Sequence, residues 1–171
     1  ARATEPFSAA LAVAFVKVPA RYRTDDDPEV LAEQWAKLEA LQVWCRGAGK
    51  PLVLEVLVAR KQEPEETFEA SGRPAMLAAF IAEAYRRGLT PEFWKIEGTL
   101  ARTGANAIDV AIAANPACRQ IILGKAAELA TIDRWFSACA ASTKASGFAV
   151  GRSVLWDTAD AYLTGTQGAS H

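Results

Sequence analysis

The sequence predicts an α/β fold: a partial parallel β/α barrel of the TIM type with five β/α units visible. Three observations carry this expectation. Short runs rich in valine, leucine and isoleucine alternate five times with longer segments whose apolar residues recur at helical spacing. Several of these runs are apolar at nearly every position, as strands are in a parallel sheet covered by helices. Gly124 and Gly151 end the last two runs, and Arg152 follows the second, where a barrel holds phosphate in the loops after its final strands. The competing fold, an open doubly wound sheet, usually announces its ligand by a glycine-rich turn after its first strand. No such fingerprint, and no P-loop motif, occurs in the chain.

The elements follow in order. LAVAFVKVPA (Leu11 to Ala20) reads as a first strand. DPEVLAEQWAKLEALQVWCRGAG follows as a helix, with Val30, Leu31, Trp35, Leu38, Leu41 and Cys45 on one stripe and Gly47 and Gly49 closing it. The aspartates Asp25, Asp26 and Asp27 before Pro28 read as a solvated helix start near the positive end of the helix dipole, ahead of a metal cluster. PLVLEVLVA (Pro51 to Ala59) is the second strand; an acidic loop then leads to the helix at 73–88. PEFWKIEG (Pro91 to Gly98) is the third strand, followed by a helix over 100–116 that Gly104 weakens. CRQIILG (Cys118 to Gly124) is the fourth strand, with a helix over 128–147 after it. FAVG (Phe148 to Gly151) is a short fifth strand, and 153–165 the last helix. A full barrel has eight units over typically ~250 residues. The whole 171-residue chain is therefore expected to be one domain lacking the first barrel strands, whose open sheet edges invite self-association or a chain supplying those strands.

Composition narrows the function classes. A formal net charge of -1 supplies no basic field for nucleic acid. The three cysteines, Cys45, Cys118 and Cys139, show no CxxC spacing and are odd in number, which favours a reducing compartment over a disulfide framework. The single histidine is His171, so neither a histidine triad nor a multi-histidine metal site is expected, and no cofactor is called for. No apolar run approaches the ~18 residues of a membrane span, and the first residues lack the parts of a signal peptide. A cytoplasmic protein is expected. Trp35, Trp44, Trp135 and Trp156 fall on helices, where core packing is the default.

Ionisable residues inside strands are the candidates for chemistry. Lys95 and Glu97 share one face of FWKIE by the period-two alternation of a strand. Glu55 lies mid-strand in PLVLEVLV and Lys17 mid-strand in AFVKVP, on the two preceding strands. Facing one interior, they either satisfy one another as structural ion pairs or form a site. The chemistry suited to the set is imine formation with a ketone or aldehyde. A lysine attacks a carbonyl only when neutral, which an apolar wall (Phe93 and Trp94 in sequence) and a second ammonium favour. On this expectation Lys95 is the nucleophile, Glu55 the proton shuttle, Lys17 the neighbouring charge, and Glu97 the residue that holds Lys95 or Lys17. Gly151 and Arg152 at a helix start suit an anion, with Lys125 after Gly124 as a second positive charge.

VKVPARYRTDDDPE, CRGAGKPLVLEVLV, PEFWKIEG, CRQIILG and GFAVGRSVLWD, in this order, resemble the carboxy-terminal five units of a class I aldolase branch. That branch includes tagatose-bisphosphate aldolase and the 2-deoxy-5-keto-6-phosphogluconate aldolase-like domain fused to the sugar kinase of inositol catabolism. WKIEG and GFAVGR are most similar to the latter. The resemblance implies Lys95 as the imine-forming lysine, Glu55 as acid/base, Lys17 as a further active-site lysine, and Gly124, Gly151 and Arg152 as phosphate-binding. It implies a β/α barrel that cleaves a phosphorylated keto-sugar acid to dihydroxyacetone phosphate and, in the inositol branch, malonate semialdehyde. An active-site aspartate expected on the family's first strand has no counterpart here. YRTDDDP stands where relatives tend to carry histidine and proline, and Lys125 where a neutral residue is usual. The alternative is a non-catalytic phosphosugar-binding or assembly module derived from the aldolase.

Overall fold

The computed structural model describes residues 13–165. β1 (Val16–Arg21) leads through a short loop to α1 (Pro28–Gly47), and β2 (Leu52–Leu57) follows. After it α2 (Glu65–Thr67) runs through a single π-helical turn, Phe68–Gly72, into α3 (Arg73–Arg86). β3 (Phe93–Glu97), α4 (Arg102–Ala113), β4 (Arg119–Leu123), α5 (Leu129–Cys139), β5 (Ala145–Ala149) and α6 (Arg152–Leu163) complete the chain.

All five strands pair in parallel in the order β1-β2-β3-β4-β5. The order never reverses, so the sheet has no switch point of the doubly wound kind. Leu54, Trp94 and Gln120 stand in one row across the sheet, and Val56, Ile96 and Ile122 in the next. These rows pack against Trp35 and Leu38 of α1, Leu77, Phe80 and Ile81 of α3, Ile108 and Ile112 of α4, and Ile132 and Trp135 of α5. The helices therefore cover one face, and the other face carries Glu55, Lys95, Glu97, Ile121 and Leu123. Five β/α units wound in this sense make a partial barrel.

The core centres on aromatic rings. Trp35 and Phe80 stack with centroids 4.5 Å apart, and Trp94 meets Phe80 edge-on at 6.2 Å. The fully buried Trp94 donates from its indole nitrogen to Tyr85 Oη at 2.9 Å, and Tyr85 donates onward to the Ile112 carbonyl. No buried donor is wasted there. The aspartate run is a helix start as expected: Asp27 caps α1 by accepting the Glu29 N–H at 2.8 Å. Asp25 and Asp26 are tied to Lys61 across the neighbouring loop, and the Arg23 guanidinium beside Asp25 holds that carboxyl down to about 2.

Three boundaries differ from the sequence reading. β1 begins at Val16, and the part of the expected strand before residue 13 lies outside the described residues. The loop after β2 holds α2 and the π-helical turn, which no apolar periodicity marks. The helix expected to run to residue 147 stops at Cys139, and the last strand starts at Ala145. Ser142 causes the stop. Its backbone N–H returns to the Cys139 carbonyl, its hydroxyl donates to Asp109, and the same oxygen accepts the N–H groups of Lys144 and Ala145. A serine that offers the backbone this alternative ends a helix. Trp35 and Trp135 are core residues, whereas Trp156 is 63% exposed on α6.

Truncating Phe80 to alanine removes the ring that links Trp35 to Trp94. Urea unfolding of Phe80→Ala is expected to show a loss of about 3–5 kcal/mol at unchanged helical content.

Candidate active site

Alternation along β3 decides where Lys95 goes. Trp94 and Ile96 are wholly buried on the helix face, so Lys95 and Glu97 point to the opposite one. Glu55 is set the same way by Leu54 and Val56. Register then places Glu55 directly beside Lys95 on the adjacent strand, while Lys17 of β1 stands beside Val53. Glu55 Oε2 contacts Lys95 Nζ at 2.8 Å and Lys17 Nζ at 3.2 Å. One carboxylate thus bridges two ammonium groups. Burial pushes the Glu55 carboxyl up, but hydrogen bonds from Lys95 and then Lys17 outweigh it, and the net displacement is below the ordinary glutamate range.

Of the two sequence neighbours expected to wall Lys95, Phe93 does so and Trp94 faces away. Phe15, Val53 and Ile121 complete a cavity of about 340 Å³ with Phe93, Lys17 and Lys95.

Glu97 takes a separate set of partners. Its carboxylate is almost fully buried and meets Arg73 Nη1 at 2.9 Å and Lys125 Nζ at 2.8 Å, rather than Lys95 or Lys17. Arg73 is itself buried, reaches the Gly98 carbonyl at 2.8 Å and Glu69 at 2.6 Å, and lies over the Trp135 ring. Gly98 is a steric requirement, since a Cβ there would overlap the Trp135 side chain. Sequence reading missed Arg73 and Glu69. Their only signal was an arginine opening a helix after a polar loop, four residues beyond a glutamate.

The expected phosphate-binding residues separate into two places. Gly151 caps α6, Arg152 opens it, and Arg152, Ser153 and Trp156 line a cavity of about 550 Å³ with residues 126–129 of the loop after β4. Gly124 lies under that loop, with Val150 within 3.2 Å of where a Cβ would sit. Lys125 turns from this cavity to Glu97. It and Ala126 both adopt left-handed backbone, φ 51° and 58°, which costs a residue with a Cβ roughly 1–2 kcal/mol. Among the described residues no helix is long and apolar enough to cross a membrane, and no cluster of histidine, cysteine, aspartate or glutamate could hold a metal.

The architecture defines a partial parallel β/α barrel. A solved structure of a Schiff base-forming fructose-1,6-bisphosphate aldolase matches with a TM-score of 0.59 and 18% identity, over 84% of this chain and 52% of that one. An archaeal fructose 1,6-bisphosphate aldolase matches with a TM-score of 0.61 and 16% identity, over the same shares. These likenesses concern the fold, and the chain spans about half the length of the aldolases it matches. Residues 12–170 match the family model described as "Uncharacterized protein conserved in bacteria (DUF2090)", and the chain belongs to that family. No curated protein matches the sequence.

Because the folded-state Glu55 pKa lies below its unfolded value, its contribution to stability is present above the unfolded glutamate pKa of about 4.3. It is lost as pH falls through the lowered value. Glu55→Gln leaves two ammonium groups side by side. It is expected to lower neutral-pH stability by about 3 kcal/mol, the low end for a broken buried pair because the lysines are partly exposed. Denaturation from neutral pH downward checks the sign: the gap between wild type and variant should close once Glu55 is protonated.

Proposed function

We propose that this chain is a class I aldolase module in which Lys95 forms an imine with a phosphorylated keto-sugar acid. The single observation that carries the reading is the Glu55 carboxylate touching two amines on the uncovered face of the sheet. The fold likeness to Schiff base-forming aldolases supports it.

Glu55, ionised in the free protein, accepts a proton from Lys95, and the neutral amine adds to the keto carbon. The protonated Glu55 returns that proton to the carbinolamine hydroxyl, which leaves as water while the C=N bond forms. The iminium then acts as electron sink. Glu55, ionised again, takes the proton from the hydroxyl two carbons from the imine carbon. The bond between the hydroxyl-bearing carbon and its neighbour breaks, its electrons moving toward the imine. An aldehyde departs and an enamine remains; Glu55 returns the proton to the enamine carbon, and addition of water hydrolyses the imine, releasing the ketone and restoring Lys95. Lys17 favours the ionised Glu55 between these steps. Arg152, with Gly151 and the Gly124 loop, anchors the phosphate at the start of α6.

The resemblance of WKIEG and GFAVGR to the inositol-catabolism branch supports 2-deoxy-5-keto-6-phosphogluconate as the substrate, cleaved to dihydroxyacetone phosphate and malonate semialdehyde. On this reading residues 1–171 form one aldolase-like domain, cytoplasmic and prone to self-association or to pairing with strands from elsewhere. A second reading, a phosphosugar-binding or assembly module without turnover, is favoured by the mutually satisfied Glu55–Lys95 and Glu55–Lys17 ion pairs, which would serve equally as structural pairs.

Borohydride trapping with dihydroxyacetone phosphate, read by intact mass and peptide mapping, tests the proposal. A reduced adduct on Lys95, absent from Lys95→Ala, is the expected result. Arg152→Ala should still be trapped but need about ten- to a hundredfold more ligand, as for loss of a charge-assisted hydrogen bond. Folded wild type that binds ligand through Arg152 without forming an adduct would hand the site to the binding-module reading.

A further inference from the structure

We infer that Lys125 is a latch: its ion pair with Glu97 holds the loop after β4 in the shape that forms one wall of the Arg152 cavity. The inference rests on the phosphate role proposed for that cavity and replaces direct phosphate contact by Lys125. Lys125 Nζ lies 2.8 Å from Glu97 Oε1, and Lys125 lines a separate cavity with Glu97 and Arg73 rather than the one that Arg152 lines. Lys125 and Ala126 are the two described non-glycine residues with left-handed backbone, and they are consecutive. Such a conformation persists in residues with a Cβ only where the surroundings over-determine it.

The restraints are visible. Gly124 N–H is bonded to the Ala149 carbonyl at 3.1 Å, Ala127 N–H closes the turn onto the Gly124 carbonyl at 2.9 Å, and Glu97 holds the lysine head. Glu97 is immobile because the buried Arg73, fixed by Glu69 and the Gly98 carbonyl, grips its other oxygen. The residues immediately after the strained pair, Ala127, Glu128 and Leu129, line the cavity together with Ala126. Glu97 follows Lys95 by two positions on the same face of β3. A rigid connection therefore runs from the imine strand through Glu97 and Lys125 to the anion cavity. Lys125 is a positioning residue.

Strain separates a latch from a ligand. Lys125→Met removes the tether and keeps the Cβ; Lys125→Gly removes the tether and the strain at its own position, leaving that of Ala126. The test is binding of inorganic phosphate to wild type, Lys125→Met, Lys125→Gly and Arg152→Ala, followed by amide chemical shifts, with hydrogen exchange of residues 124–129 measured alongside. A latch predicts about tenfold weaker phosphate binding and faster loop exchange in Lys125→Met. It also predicts that Lys125→Gly loses clearly less than Lys125→Met in both measurements, because the strain at position 125 is gone. Equal losses in the two variants would mean that the lysine charge acts on the anion itself, and unchanged behaviour of Lys125→Met would mean that the pair holds nothing; either overturns the inference. Wild type that binds no phosphate would defeat the phosphate reading of the Arg152 cavity. The exchange pattern of the two Lys125 variants would still decide the latch.

Discussion

A strand can carry a charge in its middle only if the residues on either side turn the other way, and in β3 they do. Trp94 and Ile96 are clamped against the helices with no surface left to water, which leaves Lys95 and Glu97 a single direction. The site follows from that constraint. Glu55 meets Lys95 because their strands pair at those positions, and Lys17 reaches the same carboxylate from the next strand out. Any slip of one residue in β3 would bury both charges in the aromatic core and expose the indole of Trp94.

The charges on this face form two networks with opposite character. Around Glu55 cations outnumber the anion, the groups are partly open to water, and an apolar cavity adjoins them. Around Glu97 two carboxylates answer Arg73 and Lys125, and the buried parts are crossed by hydrogen bonds to fixed backbone. The first arrangement leaves an amine beside a proton acceptor. The second leaves little free to react and much that is held in place. Residues two apart on one strand thus belong to different kinds of chemistry because β2 offers a lone glutamate at one level and the first residue of α3 delivers a guanidinium at the next.

Much of this was legible in the sequence. The five alternations, the strand charges and the shared face of Lys95 and Glu97 follow from periodicity, and the structure has all of them. What escaped depends on contacts between distant segments. The Glu97 partners come from α3 and the β4–α5 loop, 24 residues away in the case of Arg73, and no local pattern announces them. The end of α5 escaped because Ser142 acts through Asp109, 33 residues earlier. Trp94 misled for a simpler reason: adjacency in a strand means opposite faces, whereas Phe93, two positions from Lys95, shares its face. Lys125 was legible as a cation near a glycine but not as one already engaged, since left-handed backbone at a lysine has no signature in sequence.

The first strand of the sheet also limits how the molecule can grow. The N–H groups of Val16 and Tyr22 are bonded to the β2 side, so the alternate residues Lys17, Pro19 and Arg21 present their backbone outward. Pro19 has no N–H to offer there. Both backbone groups of Arg21 are already taken by the Gln34 side-chain amide, which donates to its carbonyl at 2.9 Å and accepts its N–H at 3.2 Å. An incoming strand on this margin would find a gap and then an occupied position. β5 has no proline, but its register against β4 shifts at Ser146, which lies between the paired Ala145 and Gly147. The β1 margin is thereby closed to simple strand addition by a proline and by its own side chains.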